Sequence, residues 1–345
     1  MKRNKIPGIL VFVVLFVSLL TMGCNKNQEE KQEEKQLKIG FSFDSLVIER
    51  WQRDRDIFIS RAGELGAAVN VQNAGGEVSE QKKQIQYFVK QGMDFIVIAA
   101  VDTKALTAEI QEAKKKGIKV VAYDRLIENS GVDMYISFDN EKVGELFGKA
   151  VCEQFPKGAR ILELMGSPTD YNVTLVEKGL DRELKKTSHT IVKKEYAKGW
   201  VAEHAFDAVS EFYAGGNSCD AIICGNDDMA DQAIRALSES RKAGKVFVIG
   251  QDGDLTACQR IVEGTQGGTV FKNIDELAAR AAEIAVKLGK GEKVAGDRTI
   301  SDGTTRVPFV CLEPVYVNRK TIDEVIIDGG VHTKEDVYLN VKEKE

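Results

Sequence analysis

KVVAYDRLIENSGVDMYISFDNEKVGELFGKA, residues 119–150, decides the fold. Val120-Val121-Ala122-Tyr123 is a short apolar run that reads as a buried strand. It delivers an acid and a base side by side, Asp124 and Arg125, at its carboxyl end. A second strand, Met134-Tyr135-Ile136-Ser137-Phe138, follows almost at once. Asp139-Asn140 then caps a helix beginning Glu141-Lys142-Val143. Two strands in succession mark a change of direction in a doubly wound sheet, or a crossing into a second sheet. Ligands bind where strand order reverses. The hinge of a two-lobed protein is therefore expected here, with Asp124 and Arg125 facing the cleft.

On both sides of this stretch strands alternate singly with helices. Upstream, strands read at 37–43, 68–73, 95–100 and 120–123, with helical periodicity at 49–65, 79–91 and 104–116. Downstream, strands read at 160–165, 190–196, 221–224, 246–250 and 269–271. Helices lie between them at 141–154, 172–186, 202–213, 228–241 and 255–263. Single alternation with short connections implies parallel sheets covered by helices on both faces. The expected class is α/β, with two doubly wound parallel-sheet lobes.

The chain begins with three positive charges in residues 1–5 and an uncharged, mostly apolar run, Ile6 to Gly23. That is the pattern of an export signal. Cys24 after Gly23 resembles a lipobox, in which Cys24 is lipidated and becomes the mature N-terminus. Thr21 stands where a leucine is usual, so an uncleaved transmembrane anchor is the rival, since ~17–25 apolar residues span a bilayer. Either tethers the protein outside the cytoplasmic membrane. Residues 25–36, NKNQEEKQEEKQ, have no apolar stripe and read as a solvated spacer.

Composition narrows the function. The chain has 345 residues, 43% hydrophobic and 29% charged, with a formal charge of -5. A mildly acidic body argues against nucleic acid as a partner. Five cysteines beyond Cys24 lie scattered in apolar runs and read as small buried hydrophobes. The three histidines form no nucleophilic or metal motif, and no glycine-rich phosphate loop follows a strand, so no cofactor or metal is expected.

Polar residues cluster where the strands end. They are Asp44 with Glu49-Arg50-Trp51, Asp124-Arg125, Gly166 to Asn172, Gly199-Trp200 with Glu203, Gly225 to Asp228, Gly250-Gln251-Asp252 and Lys272. Each has a plainer reading. Asp227 or Asp228, Asn140 and Asn172 could cap helices, Asp252-Gly253 could be a turn, and Arg50 with Asp54 could be a solvated i,i+4 pair. Carboxyl ends of strands share one side of a sheet, however, so jointly these groups line one crevice. Carboxylates, amides, cations and a flat indole suit a sugar, which needs donors and acceptors for hydroxyls and an apolar face for ring C–H groups.

These motifs resemble those of periplasmic sugar-binding proteins serving bacterial ABC importers, D-xylose-binding proteins above all. The resemblance rests on Glu49-Arg50-Trp51-Gln52 with Asp54-Arg55-Asp56, on Ala122 to Arg125, and on the run Tyr135 to Leu146. Gly166-Ser167-Pro168, Gly199-Trp200, Asn226-Asp227, Gly250-Gln251-Asp252 and Gly264-Thr265-Gln266 add to it. It spans Leu37 to about Gly330. It implies the type I periplasmic binding protein fold, joined by three crossings near Asp139, Asn273 and Val307. The lobes would be 37–139 with 274–307, and 140–273 with 308–340. Helix 275–288 would return to the first lobe, and 309–317 to the second. It further implies that Arg50, Asp124, Arg125, Asn172, Asn226, Asp252 and Lys272 hydrogen-bond the sugar, that Trp51 and Trp200 sandwich its ring, and that Glu203 assists. Tyr171 and Phe271 depart from the family pattern, which leaves a shift among pentoses open.

A glycoside-processing enzyme would use Asp124 and Asp252 as a carboxylate pair. Cations beside both, Arg50 or Arg125 and Lys272, would keep them ionised and argue against it. A binding protein is expected. Its closed form would be read by an ABC permease or by a membrane sensor kinase.

Overall fold

The computed structural model describes residues 36–341 except Val47 and Glu49. The expected signal, the spacer and Cys24 lie outside the described residues, as does Glu49 of the ERWQ stretch. Among the described residues no helix is long and apolar enough to cross a membrane.

Two sheets carry the fold. The first contains β1 (Leu37–Phe43), β2 (Ala67–Asn73), β3 (Phe95–Ile98), β4 (Lys119–Tyr123) and β5 (Met134–Phe138), joined late in the chain by β11 (Arg298–Ser301) and β12 (Arg306–Leu312). Its order is β11-β12-β5-β4-β3-β1-β2, parallel except for β11. The second contains β6 (Arg160–Met165), β7 (Thr190–Tyr196), β8 (Ala221–Cys224), β9 (Phe247–Asp252), β10 (Gly268–Phe271) and β13 (Val315–Val317). Its order is β13-β10-β9-β8-β6-β7, parallel except for β13. Central strands such as Phe95–Ile98 and Ala221–Cys224 are buried throughout, as a parallel sheet covered on both faces requires. Order reverses between β1 and β3 in one sheet and between β6 and β8 in the other. The strand ends beside those points are where a crevice forms.

Two helix arrangements position the cleft. Helix α1 (Arg50–Glu64) buries Arg50, Trp51, Asp54, Phe58 and Ala62. This stripe follows the helical period. It is polar where the helix enters the cleft and apolar where it lies on the sheet. Helices α4 (Asn140–Gln154) and α5 (Tyr171–Leu184) cross at glycines. A Cβ on Gly144 would sit 1.8 Å from the Val176 carbonyl oxygen, and one on Gly179 would sit 1.9 Å from that of Glu141. Only glycine permits such backbone contact.

The chain passes between sheets three times. After β5 it leaves at Asp139, and α4 packs on α5, β10 and β13. After β10 it returns, and α9 (Ile274–Gly289) packs on α1 and on the first sheet. The third passage differs from the expectation. Val307 lies inside β12, and residues 309–317 are not one segment of the second lobe. Phe309 to Leu312 pair with Tyr135 to Phe138 of β5, so the passage falls at Glu313-Pro314. Pro314 has no N–H to continue the ladder, which ends the strand there.

Candidate functional site

Nine of the ten residues expected to bind ligand line one cavity between the two sheets. They are Arg50, Trp51, Asp124, Arg125, Asn172, Trp200, Asn226, Asp252 and Lys272. Ile48, Asp170 and Gln251 complete the lining. Glu203 does not join them: it lies exposed in the first turn of α6 (Glu203–Ala214). The turn at Trp200 directs the indole inward, while the helix that follows turns Glu203 to solvent. Its expected role as a contact is corrected accordingly. The departures Tyr171 and Phe271 are also absent from the lining.

The first lobe supplies the two arginines. Arg50, in the first turn of α1, sets Nε and Nη2 at 3.2 and 3.1 Å from the two oxygens of Asp54, one helical turn on. Nη2 also reaches Asp124 at 3.0 Å, and Nη1 stands 3.7 Å from Asp252 across the cleft. Burial opposes the charge on Arg50, but these three carboxylates outweigh it and raise its pKa well above the ordinary value. Arg125 Nη1 donates to Asp44 at 2.6 Å and to the Ala100 carbonyl at 2.9 Å. Its Nε is 2.7 Å from Asp170 of the second lobe. Burial would push the Asp124 carboxyl up; Arg50, Lys272 and Arg125 reverse that and hold it below the usual range. Asp124 therefore stays an acceptor, which does not suit an acid catalyst.

The second lobe supplies Trp200, Asn226, Asp252 and Lys272. Trp200 Nε1 donates to Asp170 at 3.2 Å, and the indole lies on the ends of two strands. A Cβ on Gly166 would meet its ring at 2.2 Å, and one on Gly225 at 3.2 Å, so glycine at both positions lets the ring lie flat. Asn226 caps α7 (Asp227–Glu239) by accepting from Met229 N at 3.0 Å. The capping roles weighed for Asp227 or Asp228, Asn140 and Asn172 thus belong to Asn226, Asp139 and Asp170. Lys272 Nζ is 3.9 Å from Asp252. Its burial lowers the ammonium pKa against the pull of Asp252 and Asp124.

Three features mark this cavity as a built site. Asp44, Asp54, Asp124, Asp170 and Asp252 are buried against only three cations, Arg50, Arg125 and Lys272. Asp124, Trp200 and Asp252 have φ values of 62°, 59° and 110°, which side-chain-bearing residues rarely adopt and which cluster at functional sites. Trp51 Nε1, Arg125 Nη2 and Gln251 Oε1 are buried without a hydrogen-bond partner among the described residues. Such atoms in a polar cavity are ready to donate to or accept from a ligand.

The lobes also touch directly. Asn172 Nδ2 donates to the Asp124 carbonyl at 3.1 Å and to its carboxylate at 3.2 Å. Thr103 N and Oγ1 both donate to the Thr169 carbonyl, at 3.2 and 3.1 Å.

This two-sheet frame with its interlobe cavity is matched by a sequence profile of the periplasmic binding protein domain over residues 39–293. The chain belongs to that family. This binding protein is 45% identical to the D-xylose-binding periplasmic protein of Haemophilus influenzae over 309 residues, covering 88% of this chain and 93% of that one. It is 42% identical to the protein of the same description from Escherichia coli K12, over 308 residues and with the same coverage. Among solved structures, an ABC transporter solute-binding protein from Clostridium phytofermentans with bound β-D-glucose superimposes with a TM-score of 0.79. That pair shares 29% identity and covers 87% of this binding protein and 99% of the other. The family binds solutes and is not enzymatic, as the ionised Asp124 had suggested. Sequence reasoning placed Asp170 and Gln251 among the strand-end groups of the crevice but not among the ligand contacts, and it missed Ile48 altogether. The signal for Asp170 was its place one residue before a helix, where a carboxylate caps with one oxygen and keeps the other free.

Proposed function

We propose that this binding protein captures D-xylose between its lobes, outside the cytoplasmic membrane, and presents it to an ABC permease. The observation that carries the reading is the gathering of donors, acceptors and indoles from both lobes around one cavity. The D-xylose descriptions of its two relatives supply the sugar. In this reading Arg50, Arg125, Asn172, Asn226 and Lys272 donate to ring and hydroxyl oxygens. Asp124 and Asp252 accept from hydroxyls, and Trp51 and Trp200 bracket the ring. Asp139, Asn273 and Glu313-Pro314 serve as hinges. Calorimetry against a panel of pentoses and hexoses tests it. D-xylose should bind most tightly, and a panel in which ribose or glucose binds tighter rejects the assignment.

The anchoring proposal is separate: Cys24 carries a lipid. Cys24→Ser should abolish lipid labelling and block processing, whereas an unmodified precursor N-terminus in wild-type membranes supports a transmembrane anchor. Loss of xylose uptake on deleting the permease supports delivery. Intact uptake with lost xylose-dependent phosphorylation of a sensor kinase would support sensing.

A further inference from the structure

Asp252 has the least ordinary backbone of the cavity. Its nearest cations, Arg50 Nη1 and Lys272 Nζ, stand 3.7 and 3.9 Å away, beyond hydrogen-bond range. Neither cation fixes the carboxylate by a hydrogen bond, so its main chain has the larger say in where it points. That main chain has φ 110° at Asp252 and 87° at Gly253, a conformation that must be held from outside.

The holder is visible directly beneath it. Asp227 is 1% exposed and does not line the sugar cavity, although its neighbour Asn226 does. Asp227 Oδ2 accepts from Gly253 N at 2.9 Å, from Asp254 N at 3.2 Å and from Thr269 Oγ1 at 2.7 Å. Oδ1 accepts from Gln266 Nε2 at 3.0 Å. The donors come from the turn after β9, from β10 and from the loop before β10, so one carboxylate just past β8 ties the ends of β9 and β10 to it. Its slot is cut for it: a Cβ on Gly250 would meet Asp227 Oδ1 at 2.4 Å.

We propose that Asp227 is a positioning residue for sugar recognition, fixing the strained Asp252–Gly253 peptide so that the Asp252 carboxylate faces the bound sugar. This rests on the assignment of Asp252 to the sugar site. Asp227 touches no ligand, and all its effect on affinity passes through Asp252.

The test is a double-variant cycle with a second readout free of sugar. Asp227→Asn should weaken D-xylose binding at least tenfold while the melting transition stays cooperative. Combined with Asp252→Asn, it should bind no more than about threefold weaker than Asp252→Asn alone, because neighbours acting through one another are not additive. Losses that multiply overturn the proposal. In the sugar-free protein, amide hydrogen exchange at Gly253 and Asp254 should accelerate in Asp227→Asn, and unchanged exchange overturns it too. Should Asp227→Asn fail to fold, Thr269→Val removes one donor and enters the same cycle with the same expectations. A wild-type protein without affinity for any pentose would sink the functional reading alone, and the exchange measurement would still decide the positioning.

Discussion

At the scale of single residues, the site depends on desolvated charges and on glycine floors. Asp252→Ala removes a charged acceptor from a buried cavity, and sugar affinity should fall by ~2–4 kcal/mol, roughly 30- to 1,000-fold by calorimetry. A loss of only a few-fold would remove Asp252 from the set of contacts. Gly166→Ala places a methyl 2.2 Å from the Trp200 ring. Overpacking of that kind costs ~1–3 kcal/mol, and here it should lift the indole and weaken binding about tenfold or more while the protein stays folded. Most of these residues were legible because each directly follows an apolar run, and the carboxyl ends of parallel strands converge. Glu203 misled because it lies three residues past an inward-facing indole, where a helix has already begun. Of the carboxylates paired with Arg50, Asp54 one helical turn on and Asp124 were expected beside it, although Asp54 proves buried; Asp252 was not, since it lies on the other lobe about two hundred residues further on.

At the scale of elements, the outer strand β7 offers a test of pH dependence. Lys194 on β7 is 2.9 Å from Glu163 on β6 and 2.9 Å from Glu177 on α5. Burial works against the Lys194 ammonium, but the two carboxylates outweigh it and raise its pKa. Glu163, fully buried, shares that single cation, and burial pushes its carboxyl up to about 7 despite the pair. A carboxyl raised from 4.5 binds its proton more tightly folded than unfolded, so its contribution to stability falls as pH climbs from 4.5 towards about 7. Glu163→Gln should flatten this part of the stability–pH curve in thermal melts. An unchanged slope would place the dependence elsewhere. Elements themselves were legible where strands and helices alternate singly. Legibility failed at 298–317, where three short strands follow one another without helices, and where Pro314 was the overlooked punctuation mark.

At the scale of the whole molecule, the proposed ligand contacts, drawn from both sheets, would link sugar binding to lobe closure. D-xylose should reduce the radius of gyration in solution scattering and change the intrinsic fluorescence, with Trp200 the reporter. Tight binding with an unchanged radius would mean that the two lobes do not open. Two lobes were legible from the broken alternation around Asp124; their third passage was not, because its cause is a strand partner 174 residues upstream. The direct bonds from Thr103 to Thr169 and from Asn172 to Asp124 cross the cleft with no sugar involved. Each lowers the free energy of the shut form whether or not it is loaded. A permease that recognises outline rather than cargo would accept some empty molecules and hydrolyse ATP for nothing. If an ABC permease reads the shut form, as proposed, the strength of this clasp sets the idle rate of the pump, and Thr103→Ala should lower basal ATP turnover in reconstituted vesicles while hastening xylose release.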